Sequence, residues 1–520
     1  MKYLLAIDAG TGSIRAVLFD TDANQIAIAQ KEWHHIEENG IKNSMSFNFK
    51  DNWELIKSCI REVLKNSNVT PKDIVAVSAT SFREGIVLYD KDKNELWAVA
   101  NVDARAYKEV TYLKEQYNGI EERFYQKSGQ TFALGAIPRI LWVKNNKPQI
   151  YKKTAYISMI NDWILFKLSD VLVSEPSNSG TSGIFNLATR NWEPNMMKDI
   201  GLKSDIFPPC KESGSVIGNV SKKVAYETGL SEKTKVVVGG GDVQLGSAGL
   251  GVTKLNQVAI LGGSFWQQIV NIKSSTLPPK DMSIRVNPHV LYNQSQAEGI
   301  TFFSGLVMRW FRDAFCDFEK IEAKKRNIDV YTLLEEKAKS VPIGSNGVLP
   351  IFSDSMNYKK WYHSAPSFIN LNIDPNICNK AVMFRSLEEN ACIISKINLQ
   401  KIKEFTNIEI NEVVFAGGAS KGDLWCQILS DVLGLKVKIP KITEATALGA
   451  AMCAGVGAKI YKNLDEASGK LVIWDKEYYP NLENTKIYEK IANKWQKVYK
   501  EELKLVDENL TSSMWKAPGL

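Results

Sequence analysis

The strongest constraint on the fold is a pattern that occurs twice. Residues 3–7 (YLLAI) and 14–19 (IRAVLF) are short apolar runs separated by DAGTGS, and residues 256–271 (NQVAILGGSFWQQIVN) again set two strand-like runs around a Gly-Gly-Ser turn. Apolar runs of this length around a glycine-rich turn predict β-hairpins. At the first tip Gly10 and Gly12 permit φ > 0 and carry no Cβ, so a ligand can approach the N–H groups of residues 11–13. Thr11 and Ser13 add hydroxyls and Arg15 a fixed positive charge, a combination that suits a phosphate. One such hairpin in each half of a 520-residue chain predicts a duplicated lobe whose two loops face one nucleotide cleft. For either hairpin alone, a plain turn without a ligand is the competing reading.

Other phosphate devices fit less well. No stretch supplies the GxxxxGK[ST] of a P-loop, and GTGSIR runs into a second strand where a dinucleotide fingerprint needs a helix. The length calls for two large lobes or more. The content is 44% hydrophobic and 24% charged, ordinary for a globular protein. The net charge of +7 is spread along the chain, which suits an anionic small molecule such as ATP and argues against nucleic acid as the partner. Seven cysteines form no CxxC pair and the four histidines show no metal spacing, so reduced thiols are expected. No apolar stretch reaches the roughly 18 residues that a membrane span needs, and the N-terminus enters a strand directly. A cytoplasmic protein without a membrane partner is the expectation.

Between the hairpins, DNWELIKSCIREVLKN reads as an amphipathic helix with Asp51 as N-cap and Glu54 completing a capping box. IVAVSATSF, EGIVLYD and ELWAVAN read as strands, which makes the class α/β. KVVVGGGDVQLGSAGLG reads as a strand, three glycines and a helix starting at Asp242. Arg83 and Glu84 end a strand run, where binding groups gather; a surface ion pair is the alternative. Asp103 and Arg105 read equally as a ligand pair or a loop clasp, and Asp242 as a functional acid or a helix cap. FAGGASKGDLW offers a turn at Gly417 and Gly418, a wall without side chains against which a flat purine can lie. In EATALGAAMCAGVGA the small residues Ala450, Ala451 and Ala454 read as core packing.

Taken in order, DAGTGSIR (8–15), SFREG (81–85), VDAR (102–105), SNSGTSGIFNLATRNW (177–192), GGGDVQ (239–244), LGGSFW (261–266), FAGGASKGDLW (415–425) and EATALGAA (444–451) resemble the FGGY carbohydrate kinases of the actin-like ATPase superfamily. The resemblance implies a two-lobed actin-like ATPase (ribonuclease H-like) fold, with lobes at 1–250 and 251–520 and a central nucleotide cleft. It implies ATP and Mg²⁺, with Thr11, Gly12, Ser13 and Arg15 on the phosphates and Asp8 and Asp242 near the metal. Gly262, Gly263 and Ser264 match the second phosphate hairpin, Gly305 and Arg309 a segment beside it, and Gly418 and Gly422 the adenosine wall. Arg83 and Glu84 match the acceptor-binding pair, with Asp103 and Gln244 beside them, and Asp242 the catalytic base.

Within the family, NVDARA, AIPRILW, VNPHV, MRWFRDAFC, PIFSDSMNYKKWYHSAPSFINL and SSMWKAPGL are more similar to a branch acting on the signal dihydroxypentanedione than to glycerol or pentulose kinases. That branch implies phosphorylation of a terminal hydroxyl and a protein partner, the phosphocarrier HPr, which no residue derives. Three departures from other family members stand out: GGSF in the second hairpin, no Tyr in TFALGAIPR, and Asn101 where relatives carry Trp. The last two predict a smaller-walled acceptor site. A xylulose- or ribulose-type kinase and a non-kinase actin-like ATPase stay open as alternatives; the latter would need neither Asp242 nor the Arg83 and Glu84 pair.

Overall fold

The computed structural model describes residues 1–352, 354, 357–359, 361–442 and 444–520. Ser353, Ser355, Met356 and Lys360 of the PIFSDSMNYKKWYHSAPSFINL stretch lie outside the described residues.

The first hairpin forms as read. β1 (Tyr3–Ala9) pairs antiparallel with β2 (Ser13–Asp20), and β2 with β3 (Gln25–Glu32). Helix α1 (Phe49–Ser67) follows, but its cap is Asn48, whose side chain accepts from the Asp51 N–H. Asp51 lies inside the first turn, where its charge suits the helix dipole. Glu54 pairs with Lys57 at 2.8 Å, so the predicted capping box does not form. On the other side of β1, β4 (Ile74–Ser81) runs parallel. Helix α2 (Tyr107–Gln116) flanks this half. Then β5 (Val216–Asn219) and β6 (Lys235–Gly241) complete a six-stranded sheet ordered β5-β6-β4-β1-β2-β3. Helix α3 (Asp242–Gly249) leaves the end of β6 directly.

The second half repeats the plan. β7 (Val258–Gly262) and β8 (Trp266–Lys273) form the second hairpin, β9 (Arg285–Pro288) and β10 (Gln294–Thr301) extend it antiparallel, and α4 (Ser304–Phe315) follows. A 27-residue helix, α5 (Lys380–Thr406), covers the sheet. β11 (Glu412–Ala416), α6 (Asp423–Leu433), β12 (Lys436–Pro440), α7 (Ala445–Gly457) and β13 (Trp474–Tyr478) complete the order β9-β10-β8-β7-β11-β12-β13. In each sheet the first hairpin strand has an antiparallel partner on one side and a parallel partner on the other: β1 with β2 and β4, β7 with β8 and β11. The duplication read from two turns is therefore a duplication of sheet topology.

Helix α7 crosses between the halves. It packs against β1, β4 and β6 of the first sheet, and Ala450, Ala451 and Ala454 are buried in that core. Its backbone meets that of α3 closely. A Cβ on Gly449 would lie 2.1 Å from the Leu245 carbonyl oxygen, and one on Gly249 2.0 Å from that of Ala445. Such approach admits only glycine, and it fixes the helix whose first residue is Asp242. No helix among the described residues is long and apolar enough to cross a membrane, and all seven cysteines are free thiols.

Candidate active site

At the first hairpin tip Thr11 and Gly12 are exposed. The tip is braced from below: the Trp33 indole N–H donates to the carbonyls of Gly10 (3.0 Å) and Thr11 (3.1 Å), and the Asn101 amide donates to Thr11 Oγ1 at 3.0 Å. Neither Gly10 nor Gly12 has a positive φ, contrary to expectation. What glycine provides at position 12 is open space, since an added Cβ would meet nothing within 4 Å. Arg15 lies across from Asp8 in the hairpin register and holds Glu444 at 3.1 Å, Asp8 at 3.7 Å and Gln30 at 2.9 Å.

The second tip exposes Gly263 and Ser264. Gly262 is buried, and a Cβ there would lie 2.7 Å from the Phe415 ring; Gly305 at the start of α4 packs on the Gly263 carbonyl in the same way. Arg309 is exposed on α4. Gly418 faces open space, but the Cβ position of Gly422 is filled by the Glu335 carboxylate, so glycine is required there by packing within the protein.

Arg83 and Glu84 follow the end of β4, both buried. They are not a surface pair and do not pair with each other. Arg83 binds Glu298 of β10, and Glu84 binds Arg285 of β9, so each reaches from the first half to the second. Glu84 has φ +62, a conformation a non-glycine residue keeps only when its surroundings enforce it. Arg139 donates to the Glu84 carbonyl oxygen and the Thr181 hydroxyl accepts from its N–H at 3.1 Å. Burial pushes the Glu84 carboxyl up, but Arg285, Arg83 and Arg139 together hold it below the usual carboxylate range.

Asp103 is a clasp. Its carboxylate takes Arg105 Nε at 2.8 Å and the Met45 N–H at 2.6 Å, while Arg139 reads its carbonyl oxygen at 2.8 Å. Both carboxylate oxygens are thus engaged by Arg105 and Met45, and the side chain does not line the pocket described below. Gln244 is buried beside the site, its amide 3.3 Å from Glu298. Its Oε1 and Glu298 Oε2 are buried without hydrogen-bond partners among the described residues.

Asp242 is the first residue of α3, and Gly241 is the cap. Its Oδ1 accepts from the Val243 N–H at 2.8 Å and lies 3.9 Å from Arg83 Nε. Burial, against the pull of Arg83, pushes its carboxyl up to about 6, and 34% of the side chain remains open. Asp8 is more enclosed. Burial, opposed by Arg15 and reinforced by the charges of Asp242 and Glu444, pushes it up to about 7. Of the three glycines before Asp242, the first is required by packing: a Cβ on Gly239 would lie 1.9 Å from the Ala79 carbonyl oxygen, so β6 needs glycine there to lie against β4.

A narrow pocket opens beside Glu84, lined also by Gln130, Thr131, Arg285, Tyr358 and Trp361. The Gln130 side-chain Oε1 accepts from Arg285 Nε (2.8 Å) and the Tyr358 hydroxyl (3.2 Å). The sequence reading named none of the last five, nor Arg139 and Glu298. Two aromatic rings, Tyr358 and Trp361, wall this pocket, and both come from the second half. The signal was present in AIPRILW, VNPHV and the stretch holding Tyr358 and Trp361, which carry the family branch but no local chemistry.

Two glycine-tipped hairpins, a helix-borne carboxylate and a pocket lined from both halves are an arrangement that suits phosphoryl transfer. The chain belongs to the FGGY family of carbohydrate kinases: the family's N-terminal domain matches residues 3–249 and its C-terminal domain residues 276–458. Among relatives, it is 54% identical over 519 residues to the autoinducer-2 kinase of Escherichia coli K12, covering 100% of this chain and 98% of that protein. It is 53% identical, with the same coverage, to the autoinducer-2 kinase of Yersinia enterocolitica. Among solved structures, a ligand-bound xylulose kinase from Lactobacillus acidophilus superposes with TM-score 0.84 at 20% identity, over 96% of this chain and 98% of that one. Plasmodium falciparum glycerol kinase with ADP gives 0.82 at 19%, over 97% and 98%. At such identities these structures speak for the fold, the two-lobed actin-like ATPase architecture.

Proposed function

We propose that the chain transfers the γ-phosphoryl group of ATP to the terminal hydroxyl of linear dihydroxypentanedione, the open form of autoinducer-2, and so traps the signal in the cytoplasm. The observation that carries this reading is the full-length 54% identity to a relative named autoinducer-2 kinase. The pocket chemistry supports it. Glu84 offers an ionised carboxylate to hydroxyl groups, and Arg285, whose Nη1 makes no hydrogen bond among the described residues, offers N–H donors to carbonyl oxygens. A vicinal dione bearing hydroxyls needs both.

In this reading Thr11, Gly12, Ser13 and Arg15 hold phosphate oxygens from one side and Gly263 and Ser264 from the other, with the Gly262 backbone beneath. Gly305, Arg309, Gly418 and the turn ending at Gly422 flank the nucleotide. Arg83, Glu84 and Gln244 orient the acceptor, Asp103 fixes the loop beside it, and Asp242 takes the hydroxyl proton as the O–P bond forms. The halves at 1–250 and 251–520 act as two lobes, with α7 joined to the first. Mg²⁺ fits the donor set. Such an ion is held by one or two carboxylates plus substrate phosphates, and Asp8 and the partly open Asp242 are neighbouring acids whose carboxyls burial pushes up despite nearby arginines. When bound, the ion neutralises charge on the phosphates. A contact with HPr belongs to the same reading and rests on no residue of the fold.

The test is a panel of acceptors. Among dihydroxypentanedione, glycerol, xylulose and ribulose, kcat/KM is expected to be highest for the dione by roughly tenfold or more. A higher value for any of the other three would replace the acceptor assignment and leave the kinase class standing.

A further inference from the structure

The C-terminal segment 514–520 packs on the pocket wall and on the first half at once. Its backbone runs antiparallel beside residues 361–364: the Ala517 N–H donates to the Trp361 carbonyl at 2.9 Å, the His363 N–H to that of Trp515 at 2.9 Å, and Lys516 bridges Tyr362. Trp361 lines the acceptor pocket, so the segment is paired to the pocket wall by main-chain bonds. The Trp515 ring meets Trp361 edge to face at 4.8 Å and stacks on Phe302 at 4.8 Å. Phe302 in turn meets Phe265, at the second hairpin, at 5.4 Å. Beyond this, Gly519, at φ +80, lies against α2 of the first half so closely that a Cβ would fall 2.4 Å from Val110 Cγ1. One short segment therefore links the pocket wall, the second hairpin and the opposite half.

We propose that Trp515 is a positioning residue for the phosphoryl acceptor: by packing between Trp361 and Phe302 it sets the aromatic wall of the acceptor pocket. The proposal rests on reading that pocket as the acceptor site, and on no particular acceptor. Trp361 is 5% exposed and Phe302 8%, so the wall is held by ring contacts, and the buried Trp361 Nε1 has no hydrogen-bond partner among the described residues. Without the Trp515 ring, the space it fills is left to the Trp361 side chain, and the wall loses its fixed distance from the acceptor. Misplacement of this kind costs orientation of the acceptor more than affinity for the nucleotide. It also lets water reach the phosphoryl group, which a closed site excludes.

The experiment uses the full chain and whichever acceptor the parent turns over fastest, so a wrong acceptor assignment shows in the parent and a wrong role for Trp515 only in the variants. Trp515→Ala is expected to raise acceptor KM by roughly tenfold to a hundredfold, with ATP KM within about twofold and acceptor-independent ATP hydrolysis increased. Trp515→Phe keeps a ring in the stack and is expected to restore most of the acceptor KM. Gly519→Val, which must lift the segment from α2, shifts KM in the same direction by less. An unchanged acceptor KM in a folded Trp515→Ala variant overturns the proposal. So does a parallel rise in both KM values, or no recovery with Phe, since each marks a general structural role.

Discussion

Asp242→Asn is expected to lower kcat by roughly 10² to 10⁴ while ATP and acceptor still bind. The acceptor hydroxyl must lose its proton as its oxygen bonds to phosphorus, and a carboxylate at hydrogen-bond reach orients that hydroxyl and takes the proton. Asn keeps the shape and an oxygen for the Val243 N–H, which Asp242 Oδ1 now accepts at 2.8 Å, so the start of α3 is preserved. It has no basic site. If Asp242 served the helix alone, turnover would survive, because the cap is Gly241 and Asp242 is the residue after it. A pH signature accompanies the loss. A base whose carboxyl is pushed up to about 6 is disabled by protonation, so the parent's turnover is expected to fall on the acid side of that value. The variant's residual rate is expected to lack this limb. Near-normal kcat in a folded Asn variant would remove Asp242 from the chemistry.

Gly12→Val is expected to weaken ATP binding by roughly a hundredfold or more without unfolding the protein. A phosphate oxygen brought against the Gly12 backbone cannot share its place with a branched side chain, and the lost contacts include charge-assisted hydrogen bonds. The structure separates this effect from instability. A Cβ at position 12 meets nothing within 4 Å and the backbone is not left-handed, so Val costs the free protein little. Nucleotide titration, with thermal unfolding as control, reads the outcome. Full ATP affinity in the variant would make the first hairpin an ordinary turn.

The parts of this fold that were legible in the sequence are those that short-range pattern determines. Both hairpins, the strand at 74–81, the helix starting at Asp242 and the small-residue face of α7 follow from strand-length apolar runs, glycine turns and residue size. Less was legible where partners come from far along the chain. Arg83 and Glu84 were placed correctly at a strand end, but their partners Glu298 and Arg285 lie more than two hundred residues away, on strands whose local sequence says only that they are strands. The wall formed by Tyr358 and Trp361 was missed for the same reason, and the left-handed backbone of Glu84 depends on Arg139 and Thr181. What each glycine is for was not legible either: at Gly239 and Gly262 the missing side chain makes room for other parts of the protein, whereas at Gly12 and Gly418 it leaves open space. The Asn48 cap illustrates a local ambiguity, since Asn48 and Asp51 both suit an N-cap and chain entry decides between them.

The central claim, phosphoryl transfer to a terminal hydroxyl of dihydroxypentanedione, is tested most directly by phosphorus NMR of the protein mixed with ATP, Mg²⁺ and the dione. The account predicts one new phosphate monoester signal coupled to the terminal methylene protons, appearing in step with ADP. ADP accompanied by inorganic phosphate alone, with no ester, would contradict it and mark the chain as an ATPase that does not use this acceptor.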